Sequence, residues 1–156
     1  MKNVLLVLST SGTDDEVIAY AVGRAKKDGA GLVALYILDP DLANSVFDNF
    51  TDIGFIGDKP SSALSEAIMK EYRQRGYEEL GRVQIKAMEE AVGFEPLMEQ
   101  GGYVEKTLDV IAGMGVSVAV LVKRKQRAFY KYFTVSHADE VKKAAGCEVV
   151  IFVEKG

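Results

Sequence analysis

Val116-Ser117-Val118-Ala119-Val120-Leu121-Val122, followed at once by Lys123-Arg124-Lys125-Gln126-Arg127, decides how this chain is read. Such an apolar run suits a strand covered on both faces, and therefore a parallel sheet. In a doubly wound α/β sheet, the loop after a strand of this kind is where a nucleotide phosphate is normally cradled. Loops that do this are rich in glycine, because backbone N–H groups must reach the anion with no side chain in the way. Here the loop is cationic, contains no glycine, and continues into Ala128-Phe129-Tyr130-Lys131-Tyr132-Phe133. The scaffold for a ligand is present, and the usual ligand chemistry is not.

Working outward, Val4-Leu5-Leu6-Val7-Leu8 is a second buried strand. Thr13-Asp14-Asp15-Glu16 reads as a capping box, with the Thr13 hydroxyl accepting from the third helical N–H and Glu16 reaching back. The helix it opens carries Val17, Ile18, Ala21, Val22 and Ala25 on one stripe and stops near Gly29. Gly31–Leu38 is the next strand, and strand, helix and strand together make a right-handed βαβ unit. Residues 39–60 lack a period and mix Asp39, Asp41, Asp48, Asp52 and Asp58 with Phe47, Phe50, Ile53, Phe55 and Ile56. A loop of that length is usually a lid, a binding segment or a disordered one; its five large apolar side chains argue against disorder, and its acids could face the basic loop. A long helix follows from Ser62 to Ala91, with a kink expected at Gly76. Then come a polar edge strand (Phe94–Glu99), a short helix (Val104–Ala112), the Val116–Val122 strand, a helix over Val135–Ala145 and a last strand, Glu148–Val153. The prediction is one domain over residues 1–156, an α/β fold with five strands and helices on both faces.

Composition narrows the function. A chain of 156 residues can bury roughly 68–70% of its unfolded surface. Net charge is −4, so no overall basic field recruits nucleic acid or an anionic bilayer. The single cysteine, Cys147, cannot form an internal disulfide, which favours the reducing cytoplasm. The N-terminal apolar run is too short for a signal peptide or a span.

Each candidate constellation has a plain structural alternative. Ser9-Thr10-Ser11-Gly12 could hold an anion at a helix N-terminus, or be a polar turn leading to a cap. The turn partly resembles the FMN-phosphate loop of flavodoxins, with Asp14 in place of the last hydroxyl, so a flavin carrier is a third reading. Lys123, Arg124, Lys125, Arg127 and Lys131 could capture phosphate or an acidic partner, or form a solvated loop over its own aromatics. Phe129, Tyr130, Tyr132 and Phe133 among them would suit single-stranded nucleic acid, which the acidic remainder of the chain disfavours. His137, the only histidine, has no partner for a metal site and reads as a surface residue at a helix start. Cys147 reads as a small apolar group. No catalytic pair emerges.

As a set, these elements resemble the universal stress protein family over essentially the whole chain. The resemblance rests on Asn3–Ser11 leading to a helix, Leu35-Tyr36-Ile37-Leu38-Asp39 ending strand two, and the long helix before strand three. It continues through the Glu99–Gly102 turn, the Val116–Val122 strand, and Val135-Ser136 opening a helix toward Gly146-Cys147-Glu148-Val149-Val150-Ile151. It implies a Rossmann-like parallel sheet in the order 3-2-1-4-5 and a homodimer paired through strand five, here Val149, Val150, Ile151, Phe152 and Val153. ATP-binding members of the family carry an Asp at the tip of strand one and a G-x2-G-x9-G-(S/T) loop after strand four. In this chain Ser9 stands at the Asp position and Val122, Lys125 and Val135 at the glycine positions. The final hydroxyl, Ser136, and the apolar adenine-side position, Ile37, are kept. The resemblance therefore implies a stress-response protein that binds no cofactor and acts through dimerisation and an unidentified protein partner. The alternative is an ATP or AMP sensor with a rebuilt phosphate loop, using Ser9, Thr10, Ser11, Gly12, Ile37, Lys123, Arg124, Lys125, Arg127 and Ser136.

Overall fold

The computed structural model describes residues 2–10, 12–39, 62–123 and 136–154. β1 (Asn3–Val7), α1 (Asp15–Asp28) and β2 (Gly31–Leu38) form the expected opening unit. α2 (Ser62–Glu89), β3 (Phe94–Gln100), α3 (Tyr103–Gly113), β4 (Val116–Lys123), α4 (His137–Ala144) and β5 (Glu148–Val153) follow. The strands form one five-stranded sheet in the order β3-β2-β1-β4-β5, every pairing parallel, as the family resemblance implies.

β1 and β2 are apolar at nearly every position because successive side chains point to opposite faces and both faces are covered. Val4, Leu6, Leu32, Ala34 and Tyr36 pack beneath α1 and α2, with Val17, Ile18, Val22, Leu80 and Val83. Leu5, Val7, Val33, Leu35 and Ile37 pack on the other face with Val110 of α3 and Ala138 and Val141 of α4. Each fully buried Val, Leu or Ile contributes about 1.5–3 kcal/mol, which makes these two layers the main stabilising term. α1 ends as predicted: Gly29 adopts φ 64°, and its N–H bonds the carbonyls of Ala25 and Lys26.

One local expectation is corrected. The residue that caps α1 is Asp14, and no side chain makes the capping bond. Thr13, only 3% exposed, instead accepts from the Ser9 N–H at 2.9 Å, so its hydroxyl closes the preceding turn. It lies one position too early, and turned too far inward, to cap the helix. α2 is helical without interruption from Ser62 to Glu89, through Gly76. A Cβ at Gly76 would stand 2.6 Å from Met98 Cε and 2.6 Å from Tyr36 Cδ1. Glycine there lets the long helix lie directly on β2 and β3.

The sheet's two edges differ. β3 carries Glu95, Pro96 and Glu99, a charged strand whose proline removes an N–H donor. β5 has no charge between Glu148 and Glu154 and pairs with β4. Among the described residues, no helix is long and apolar enough to cross a membrane.

Candidate functional site

Strand order reverses between β1 and β4, and in open α/β sheets ligands bind outside the carboxyl ends of the strands at such a point. Two segments frame this crevice, the turn after β1 and the start of α4.

The turn after β1 is held by its own groups. Ser9 N–H donates to Thr13 Oγ1 at 2.9 Å and Gly12 N–H to the Ser9 carbonyl at 3.2 Å. Gly12 has φ 103°, a conformation that residues bearing a Cβ rarely adopt, so glycine is required to close the turn. α2 then fastens it. Glu79 Oε1 accepts from the Thr13 N–H at 3.2 Å, and Arg82 Nη1 donates to the Thr13 carbonyl at 3.1 Å. Arg82 also binds Glu79 and Asp15, linking α2 to the first turn of α1. Burial pulls the Arg82 guanidinium down, but its hydrogen bonds to Asp15 and Glu79 outweigh that and hold it above its usual range. A carboxylate of the chain itself thus lies against the hydroxyl-rich turn proposed for an anion.

The second segment repeats the pattern. Ser136 caps α4, accepting from the Asp139 N–H at 3.1 Å and donating its own hydroxyl to Asp139 Oδ2 at 2.6 Å. Lys123 Nζ, at the end of β4, donates to the same Oδ2 at 2.8 Å. Lys123, followed by Ser136, keeps the Asp139 carboxyl below the usual carboxylate range. The one cation described from the basic loop and the hydroxyl expected to meet a phosphate therefore share an internal anion.

Of the other predicted site residues, Thr10 is half-buried beside Ser9, and Ile37 is 3% exposed, packed into the α3/α4 layer. Ser11, Arg124, Lys125 and Arg127 lie outside the described residues, as do Phe129, Tyr130, Lys131, Tyr132, Phe133, Val135 and residues 40–60. His137 is exposed at the first position of α4, its ring stacked on Tyr103 with centroids 5.7 Å apart. Cys147 packs against the α3/α4 layer, where burial pushes its thiol pKa up. Among the described residues, no group of three or more His, Cys, Asp or Glu is placed to hold a metal ion.

The sequence reading missed Glu79, Arg82 and Asp139. Asp139 was visible as the acid of Ser136-His137-Ala138-Asp139, a capping signature three residues on. Glu79 reaches Thr13 across 66 positions, and no local pattern encodes that contact.

The fold and this crevice can be set beside known proteins. The sequence model of the universal stress protein family matches residues 1–152. The chain belongs to the universal stress protein family. No curated sequence is similar enough to count as a match. Among solved structures, the universal stress protein UspA from Lactobacillus plantarum superposes with a TM-score of 0.71 at 15% identity, over 97% of each chain. A universal stress protein from Archaeoglobus fulgidus in complex with dAMP gives 0.61 at 14% identity, over 97% of each chain. A universal stress protein in complex with cAMP gives 0.64 at 11% identity, over 99% of this chain and 98% of that one. At such identities the likeness is one of fold. As a universal stress protein, this chain keeps the crevice but sets its own carboxylates against both of its helix-start segments.

Proposed function

We propose that this universal stress protein acts in the cytoplasm as a homodimer that engages a protein partner, with neither catalysis nor a bound adenine nucleotide. The observation that carries the reading is the Asp139 carboxylate, 2.8 Å from Lys123 Nζ and 2.6 Å from Ser136 Oγ. Those two groups are the ones a phosphate would use, and a fixed negative charge between them both occupies them and repels a second anion. Val122 at a glycine position of the phosphate loop adds side-chain bulk. The uncharged β5 edge, with Val153 60% exposed, supports pairing through Val149–Val153, since such an edge otherwise invites uncontrolled pairing. The net charge of −4 argues against nucleic acid and membrane as partners.

A second reading has specific support. Solved universal stress proteins of this fold carry cAMP or dAMP, and this chain could hold ATP or AMP at Ser9–Gly12, Lys123 and Ser136 once Lys123 swings away from Asp139. Mass spectrometry of gently denatured protein separates the two. The first reading requires that no adenine nucleotide be released, whereas ATP, ADP or AMP at near one per subunit establishes the second.

A further inference from the structure

α2 has a second face. Leu80, Val83 and Ala87 point into the sheet, while the opposite side of the same turns presents Tyr77 at 60%, Ile85 at 62% and Met88 at 69% exposure. Soluble helices normally place charge there. Gly81 lies between them on the same face, and an added Cβ there would meet nothing within 4 Å. Glycine in a helix interior is less stable than alanine by about 1 kcal/mol, and at Gly76 contact with Tyr36 and Met98 explains it. At Gly81 nothing among the described residues does. Gly23 of α1 is equally open, but its i±4 neighbours are Ala19 and Lys27, so no apolar patch surrounds it.

We infer that this face is a self-association surface, on which α2 of a second copy crosses antiparallel with the two-fold axis through Gly81. A two-fold axis there pairs each residue with the one equally far from Gly81 in the opposite direction. Tyr77 then meets the partner's Ile85, Gln74 the partner's Met88, and Glu78 the partner's Gln84. Arg73 meets the partner's Glu89, twice by symmetry. Tyr77 and Ile85 meet as an apolar pair near the axis, Arg73 and Glu89 oppose unlike charges at the rim, and no like charges are opposed, which is the self-complementarity an isologous contact needs. Gly81 lets the two backbones approach closely at the crossing.

A groove between α1 and α2 completes the fit. It measures about 430 Å³ and is lined by Ile18, Ala19 and Ile85, with Asp15, Arg82, Lys86 and Glu89 around it. Ile85, which the partner's Tyr77 faces, forms one wall of this groove, so the ring packs at its edge. A single helix-on-helix contact lies below the roughly 800 Å² per partner of standard interfaces, so the association is weak and concentration-dependent. It uses the β3 side of the sheet and does not rest on pairing through β5.

The test is cross-linking with a short bis-maleimide in a Cys147→Ser background, comparing Gly81→Cys with Gly23→Cys as the control. Both sites have open space, so both variants fold. Covalent dimer should accumulate at least tenfold more with Gly81→Cys, and adding Ile85→Glu should abolish the excess. Adding Arg73→Glu should lower the yield, and adding Glu89→Arg to that variant should restore it. Equal yields at the two sites, or a yield indifferent to Ile85→Glu, would overturn the inference.

Discussion

Lys123 Nζ and Asp139 Oδ2 stand 2.8 Å apart, joining the end of β4 to the first turn of α4 beside the crevice where the strand order reverses. Both side chains are partly exposed, at 33% and 40%, so the pair itself contributes only about 0.2–1 kcal/mol. Its consequence is positional: it commits a cation and a serine hydroxyl to an anion of the chain.

Because the Asp139 carboxyl is held below its ordinary range by Lys123 and Ser136, its contribution to stability is present above the unfolded-state value. It is lost as pH falls through the lowered folded-state value. Asp139→Asn should therefore flatten the acid limb of the stability curve below about pH 4, while lowering stability near neutrality by about 1 kcal/mol or less. Urea denaturation from pH 2.5 to 7 measures both effects.

Ser136→Ala removes the side chain that accepts the Asp139 N–H at 3.1 Å. The expected loss is about 1 kcal/mol, the usual value for an N-cap serine. Ser136→Asp, which can cap the helix but sets two acids together, should recover less than Ser136→Thr in the same denaturation assay.

The two glycines of α2 should respond in opposite directions. Gly76→Ala places a methyl 2.6 Å from Met98 Cε and from the Tyr36 ring, and overpacking of this kind costs about 1–3 kcal/mol. Gly81→Ala meets open space and gains helix propensity, so the folded subunit becomes more stable by up to about 1 kcal/mol. Chemical denaturation at low protein concentration compares them.

Tyr36 is fully buried, its hydroxyl has no hydrogen-bond partner among the described residues, and burial pushes its pKa up to about 12. Removing an unsatisfied buried hydroxyl relieves its desolvation penalty. Tyr36→Phe should leave stability unchanged or raise it by up to about 1 kcal/mol, whereas Tyr36→Ala should lower it by about 3–5 kcal/mol.

Glu79→Gln exchanges the carboxylate on the Thr13 N–H for a neutral oxygen and removes the charge facing Arg82. The Ser9–Thr13 turn should loosen, with hydrogen exchange at the Thr13 amide at least several-fold faster and exchange in β1 unchanged.

These cases show why the fold was easier to read than the crevice. β2 and β5 begin and end where their apolar runs do, because strands buried on both faces, or closing a sheet, leave uninterrupted hydrophobic signatures. The edge character of β3 was likewise written in Glu95, Pro96 and Glu99. Thr13 was misjudged because a hydroxyl ahead of a helix can cap it or close the turn before it, and inward burial decided the outcome. The reason for Gly76 is likewise a long-range one, the closeness of Tyr36 and Met98, which no local pattern encodes. Glu79 and Arg82 act on Thr13 from α2, a juxtaposition that only the packing of α1 against α2 creates.

The most direct measurement is a titration of the isotopically labelled protein with ATP and with AMP to millimolar concentration, following the backbone amides of Ser136 and Asp139. The internal carboxylate predicts no saturable shift at either amide, and a modest gain in binding when Asp139→Asn frees Lys123. Saturable shifts at both amides of the unmodified protein, at one nucleotide per subunit, would contradict it.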